Sequence, residues 1–60
     1  MVIKPTVEQT MELFRVCQNL TQMYLPLNLV RLDERTGNVV IIAGEEIVIV
    51  IDKTGNVDYI

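Results

Sequence analysis

The sequence predicts an α+β fold: one N-terminal helix packed on a four-stranded antiparallel β-meander. Three observations predict it. One helix-periodic stretch, about residues 7–24, is closed by Pro26 and does not recur. The rest of the chain is rich in Val and Ile, in four runs at about 27–33, 39–43, 47–52 and 57–60, and β-branched residues suit a pleated surface. The connections between those runs are too short to cross over a sheet, so neighbouring strands must be antiparallel. Sixty residues make one small domain, 1–60.

The elements follow in order. Val2 and Ile3 are expected to pack or to add a short strand, and Pro5 stops any continuation. Thr6 fits a helix N-cap, with Gln9 three residues on to reach back to it. Glu8 in the first turn suits the positive end of the helix. Along the helix, Glu8, Glu12, Arg15, Gln18, Asn19 and Gln22 share one arc, which Met11 interrupts. Val7, Leu13, Phe14, Val16, Cys17, Leu20, Met23 and Tyr24 fill the remainder. That apolar arc spans roughly 200°, wider than the ~100° stripe of an ordinary surface helix. Such a helix wants contact on more than one flank. Pro26 disfavours a helical residue before it and ends the element.

The tetrapeptide Thr-Gly-Asn-Val occurs twice, at 36–39 and 54–57, each time after a short charged run that begins with Asp33 or Asp52. Asp52-Lys53-Thr54-Gly55 fits a type I turn with Asp first and Gly fourth. The carboxylate can accept backbone N–H groups two residues on, and Gly55 can take positive φ to restart the strand. Asp33–Gly37 is the same device with one more residue. A turn used twice explains both copies. Calcium wants six to eight oxygens, and a phosphate loop wants several glycines opening a helix; neither pattern is present. Gly44-Glu45 suits a two-residue hairpin, with Glu45 and Glu46 as its solvated tip.

Size sets the next constraint. Folding buries about 6,000 Å² of a chain this long. If about 60% of that is apolar, burial contributes on the order of 90 kcal/mol. Ordering the chain costs on the order of 90 kcal/mol as well, so the domain needs a staple. A single cysteine, Cys17, rules out an internal disulfide, and there is no histidine to build a zinc cluster. A partner chain remains. Half the residues are apolar, which agrees.

Charge narrows the partners. Eight acidic and five basic residues give a net charge of −3. No basic patch exists to track phosphates, so nucleic acid is not expected. No apolar run approaches the ~20 residues that span a bilayer, so no membrane role is expected. A lone cysteine and the lack of an export signal favour the reducing cytoplasm.

The informative anomaly is Ile47-Val48-Ile49-Val50-Ile51 opposite Val39-Val40-Ile41-Ile42. A half-exposed antiparallel strand should alternate apolar with polar residues. Ile47, Ile49 and Ile51 can face the helix; Val48 and Val50 then point where the chain has nothing left to cover them. Such a patch marks an interface. A helix is about 10 Å across, whereas four strands present a face about 15–19 Å wide. Apolar surface is therefore expected on both faces. The expected interface is Val48 and Val50, supported by the helix flank Val16, Leu20 and Met23. The expected assembly is a homodimer or a small complex with a protein partner, built by packing of sheet faces or by exchange through an edge strand. Arg31 lies among apolar neighbours, as an edge-protecting charge or as a partner for Asp33, Asp58 or a foreign carboxylate.

No catalytic constellation rises from the sequence. Cys17 sits mid-helix with no basic residue one turn away, which fits a structural thiol. Without histidine the usual general base is missing. Tyr24 and Tyr59 fit core or interface roles. No cofactor, metal ligand set or catalytic residue is expected. The function expected is a small intracellular protein-interaction module. The alternative is a ligand- or metal-binding subunit using the Asp33–Asn38 and Asp52–Asn56 loops as its mouth.

Five pieces carry a family resemblance: Arg15-Val16-Cys17-Gln18, Tyr24-Leu25-Pro26, Leu32-Asp33-Glu34-Arg35, Ile42-Ala43-Gly44-Glu45 and the final Tyr59-Ile60. In them the chain resembles a group of short, uncharacterised cyanobacterial proteins, a domain of unknown function. That resemblance implies no activity and no catalytic residues. It implies proteins that are halves of small gene pairs, which suits a binding protein or a toxin–antitoxin-like partner. The chain departs from its relatives at Val48 and Val50, where they tend to carry charges, and at Val57, where they tend to carry an aromatic.

Overall fold

The computed structural model describes residues 4–60; the expectations for Val2 and Ile3 lie outside them. One helix, α1 (Val7–Gln22), precedes four strands, β1 (Leu27–Leu32), β2 (Val39–Ala43), β3 (Ile47–Ile51) and β4 (Val57–Tyr59). The strands form one sheet in the order β1-β2-β3-β4, every neighbouring pair antiparallel. This is the α+β arrangement that the sequence predicts.

The helix begins as its capping residues dictate. Gln9 N–H donates to Thr6 Oγ1 at 3.1 Å, and Thr6 N–H donates to Gln9 Oε1 at 2.9 Å. Two of the unpaired donors of the first turn are thereby satisfied. The helix ends at Gln22, two residues before the apolar spacing runs out. The reason is a Schellman closure. Leu25 N–H donates to the Leu20 carbonyl and Tyr24 N–H to the Thr21 carbonyl, both at 3.0 Å. This geometry demands a left-handed residue and usually takes glycine. Here Tyr24 adopts it, with φ +60. Pro26 only confirms a stop already made.

The core lies between the helix and one face of the sheet. Val39, Ile41 and Ala43 of β2 stand opposite Ile51, Ile49 and Ile47 of β3. Five of these six are fully buried and Ile47 is half-buried. Val16 and Leu20 cover them from the helix, with Leu13 and Cys17 at the margin. The helix therefore rides over the two central strands, and one helix is too narrow to do more. Val30 of β1 faces the same side yet stays 47% exposed, and Tyr59 of β4 stays 66% exposed.

Among the described residues one polar side chain enters this core. Gln9 is buried, and its Nε2 donates to the carbonyls of Gly37 at 2.7 Å and Ile51 at 3.1 Å. Two carbonyls can face only the NH₂ end of an amide, so these partners fix its orientation. The Thr6 hydroxyl donates to the Lys53 carbonyl at 2.8 Å beside it. The helix start is thus tied to both loops at one end of the sheet. Among the described residues no buried side-chain polar atom lacks a partner.

Candidate interaction surface

Strand alternation places a second set of side chains on the face that the helix does not cover. The register arranges them in two rows. Arg31 pairs with Val40, Val40 with Val50, and Val50 with Asp58. This row therefore runs Arg31-Val40-Val50-Asp58 across all four strands. Beside it, Leu29 pairs with Ile42 and Ile42 with Val48. The ladder continues past β4, where Ile60 N–H donates to the Val48 carbonyl at 2.9 Å. The second row is therefore Leu29-Ile42-Val48-Ile60, with no charge in it. Val40, Ile42, Val48 and Val50 are half-buried among themselves, while Leu29 and Ile60 are exposed.

The expected interface residues divide. Val48 and Val50 lie on this open face. Val16 and Leu20 do not: both are buried between helix and sheet, at 0% and 3% exposure. The core has already used the flank expected to support an interface. The apolar arc is wide, and its width does not say which part faces the sheet. Met23 remains exposed at the helix C-terminus, beside Tyr24. On the far side of the helix Val7, Met11 and Phe14 are exposed as a stripe at spacings of four and three residues, a pattern masked by the polar residues around it.

The open face is not flat. A concavity of about 440 Å³ lies over its β1–β2 half, between Leu29, Arg31, Val40 and Ile42 and the wall formed by Asp33, Glu34 and Arg35. At the opposite edge Ile60 stands out, 79% exposed. Arg31 makes no ion pair among the described residues; the ion pair found there is Arg15–Glu12 on the helix, at 2.6 Å.

The two Thr-Gly-Asn-Val loops are turns of one design. Asp33 Oδ1 accepts from Arg35 N–H at 2.9 Å. Asp52 Oδ1 accepts from Thr54 N–H at 2.9 Å, the Thr54 hydroxyl at 2.7 Å and Asn56 N–H at 3.0 Å. Gly37 and Gly55 take φ of +76 and +92, as a strand restart requires. These donors favour the ionised carboxyl. They hold Asp33 below the ordinary carboxylate range, chiefly through the Arg35 N–H, and Asp52 likewise, chiefly through the Thr54 hydroxyl. Burial pushes the Cys17 thiol up, the direction opposite to that of an activated nucleophile. Among the described residues no three His, Cys, Asp or Glu side chains group to hold a metal ion, and no helix is long and apolar enough to cross a membrane.

Fold and surface together define a small α+β domain in which, among the described residues, one helix covers one sheet face and nothing covers the other. The chain belongs to the family described as domain of unknown function DUF6888, whose model matches residues 4–58. No curated protein and no solved structure matches it.

Proposed function

We propose that this chain is a small protein-interaction module of the cyanobacterial cytoplasm, self-associating or one half of a two-protein complex. Its docking surface is the helix-free face of the sheet. One observation carries the reading: the two central strands are apolar on both sides, and Val40, Ile42, Val48 and Val50 meet no covering element among the described residues. Monomeric proteins rarely leave a contiguous apolar patch of this kind without a use for it. The lone cysteine suits a reducing compartment.

The test replaces Val48 and Val50 by Glu together. Both side chains point away from the core, so the fold, read by far-UV circular dichroism, is retained. The tagged wild-type chain is recovered from cell extract in a complex, with itself or with another protein, and the double variant is recovered alone. Recovery of both in the same complex refutes the surface.

A second reading has one observation in its favour. The concavity beside Arg31 is walled by the Asp33–Arg35 turn, the first of the two loops that a ligand-binding subunit would use. A thermal-shift panel of divalent metals and nucleotides tests it, and a flat response removes it.

A further inference from the structure

We infer that the partner on the open face is a second copy of this chain, packed sheet to sheet about a two-fold axis that runs parallel to the strands. The inference rests on the reading of that face as a docking surface and adds its occupant and geometry.

Charge placement carries it. The row Arg31-Val40-Val50-Asp58 has a cation at one edge of the sheet and an anion at the other, with two valines between. Charges that only guard the edges need no particular sign. Opposite signs at the two ends of one row make the row self-complementary. A two-fold axis along the strands lays β1 over β4 of the partner and keeps each row on its own image. Arg31 then faces Asp58 of the partner subunit, and the symmetry supplies the pair twice. Val40 lies over Val50 of the partner subunit between them. A two-fold axis across the strands lays β1 on β1 instead: along the charged row it sets Arg31 against its own image, and midway between the rows it sets Arg31 over Leu29 of the partner subunit, so in neither case does Arg31 meet an acid. The charges thus choose between the two ways of stacking the same apolar face.

Shape agrees with charge. The same rotation brings Ile60 of the partner subunit over Leu29. The concavity walled by Asp33, Glu34 and Arg35 lies there, and Ile60 is the most exposed hydrophobic side chain of the face. Stacked sheets cross at about 30° because each is twisted. At an edge about 7 Å from the axis, that rotation moves a residue by about 3–4 Å, within the reach of an arginine side chain.

Edge exchange is the weaker arrangement. In β1 the register shifts between Leu27 and Leu29, leaving Asn28 as a bulge whose Nδ2 donates to the Gly44 carbonyl at 2.6 Å. A bulge turns an edge away from a partner strand. The other edge, β4, is three residues long.

The experiment is light scattering over a dilution series on four chains: wild type, Arg31→Asp, Asp58→Arg and the double reversal. Both positions are exposed, so the fold tolerates the changes. The wild type is expected to be a dimer. Each single reversal places like charges opposite each other twice and weakens the dimer by roughly tenfold or more. The double reversal exchanges the signs and restores the dimer. A wild type that stays monomeric at every concentration overturns the inference, and the capture experiment with Val48 and Val50 then decides the wider reading alone. A dimer indifferent to the charge reversals but dissolved by Val48→Glu with Val50→Glu overturns the proposed axis and leaves the docking face in place. A dimer indifferent to both sets overturns both.

Discussion

Replacing Gln9 by Ala removes the buried polar side chain that, with Thr6, ties the helix start to the sheet. The Gly37 carbonyl loses its side-chain donor, the Ile51 carbonyl keeps only its place in the ladder opposite Val39, and the Thr6 N–H loses its acceptor. A buried acceptor left unpaired costs about 1–3 kcal/mol. Thr6 is half-exposed, so water replaces its bond at small cost. With Ile51 still paired to β2, the half-buried Gly37 carbonyl carries most of the loss, about 1–3 kcal/mol. A domain this short rarely holds more than about 3–5 kcal/mol in total, so the variant keeps a reduced margin. Urea unfolding followed by far-UV circular dichroism measures the loss. A loss below about 1 kcal/mol refutes the claim that these bonds join the layers.

Gln9→Glu sharpens the test. Its carboxylate would face two carbonyls with no proton to give. Only the protonated form can donate, so folding favours that form and raises the carboxyl's pKa above its unfolded value. The stability gained is fully present below the unfolded pKa and is lost as pH rises through the folded one. The gap between this variant and the wild type should therefore narrow from about pH 7 to about pH 4. A constant gap means that residue 9 does not face the carbonyls.

Two further outcomes follow from the local geometry. Tyr24→Gly relieves the left-handed strain at φ +60 and raises stability by about 1 kcal/mol, read as a higher melting temperature; a melting temperature that falls refutes the strain. Asp52 is held below the ordinary carboxylate range by its three donors, so it stabilises the fold above its unfolded pKa and stops doing so as pH falls through the folded value. Asp52→Asn should therefore show a shallower loss of stability in acid than the wild type, and equal acid slopes exclude the turn as a source of that loss.

Most of the fold is legible because each element carries its own signal. Thr6 and Gln9 announce the helix start, the Asp-to-Gly runs announce two turns, and the lack of room for a crossover forces antiparallel pairing. The helix C-terminus is not legible: the rule that glycine takes the left-handed position gives no reason to expect Tyr24 there. The second role of Gln9 is hidden as well, since its two carbonyls lie 28 and 42 residues away and no local pattern reports them. The open face is legible as a run of Val and Ile on both sides of β3. Its charges are not, because Arg31 and Asp58 belong to one row only once the register across four strands is known. Val16 and Leu20 show the converse limit. Their apolar character predicts burial, but only packing decides that this chain's own sheet buries them.

The bonds of Gln9 also set an order of events. Each strand pairs with its neighbour in sequence, so the hairpins close over short distances and form early. The helix is the first described element to leave the ribosome, yet it has nothing complete to dock on until β3 exists, because one of the two carbonyls that Gln9 binds belongs to Ile51. Until then the growing sheet carries Val30, Val39 and Ile41 on one side and Leu29, Val40 and Ile42 on the other, with neither covered. A nascent chain in that state is prone to meet another like it, and the density of chains on one message would decide whether the encounter ends in assembly or in aggregation.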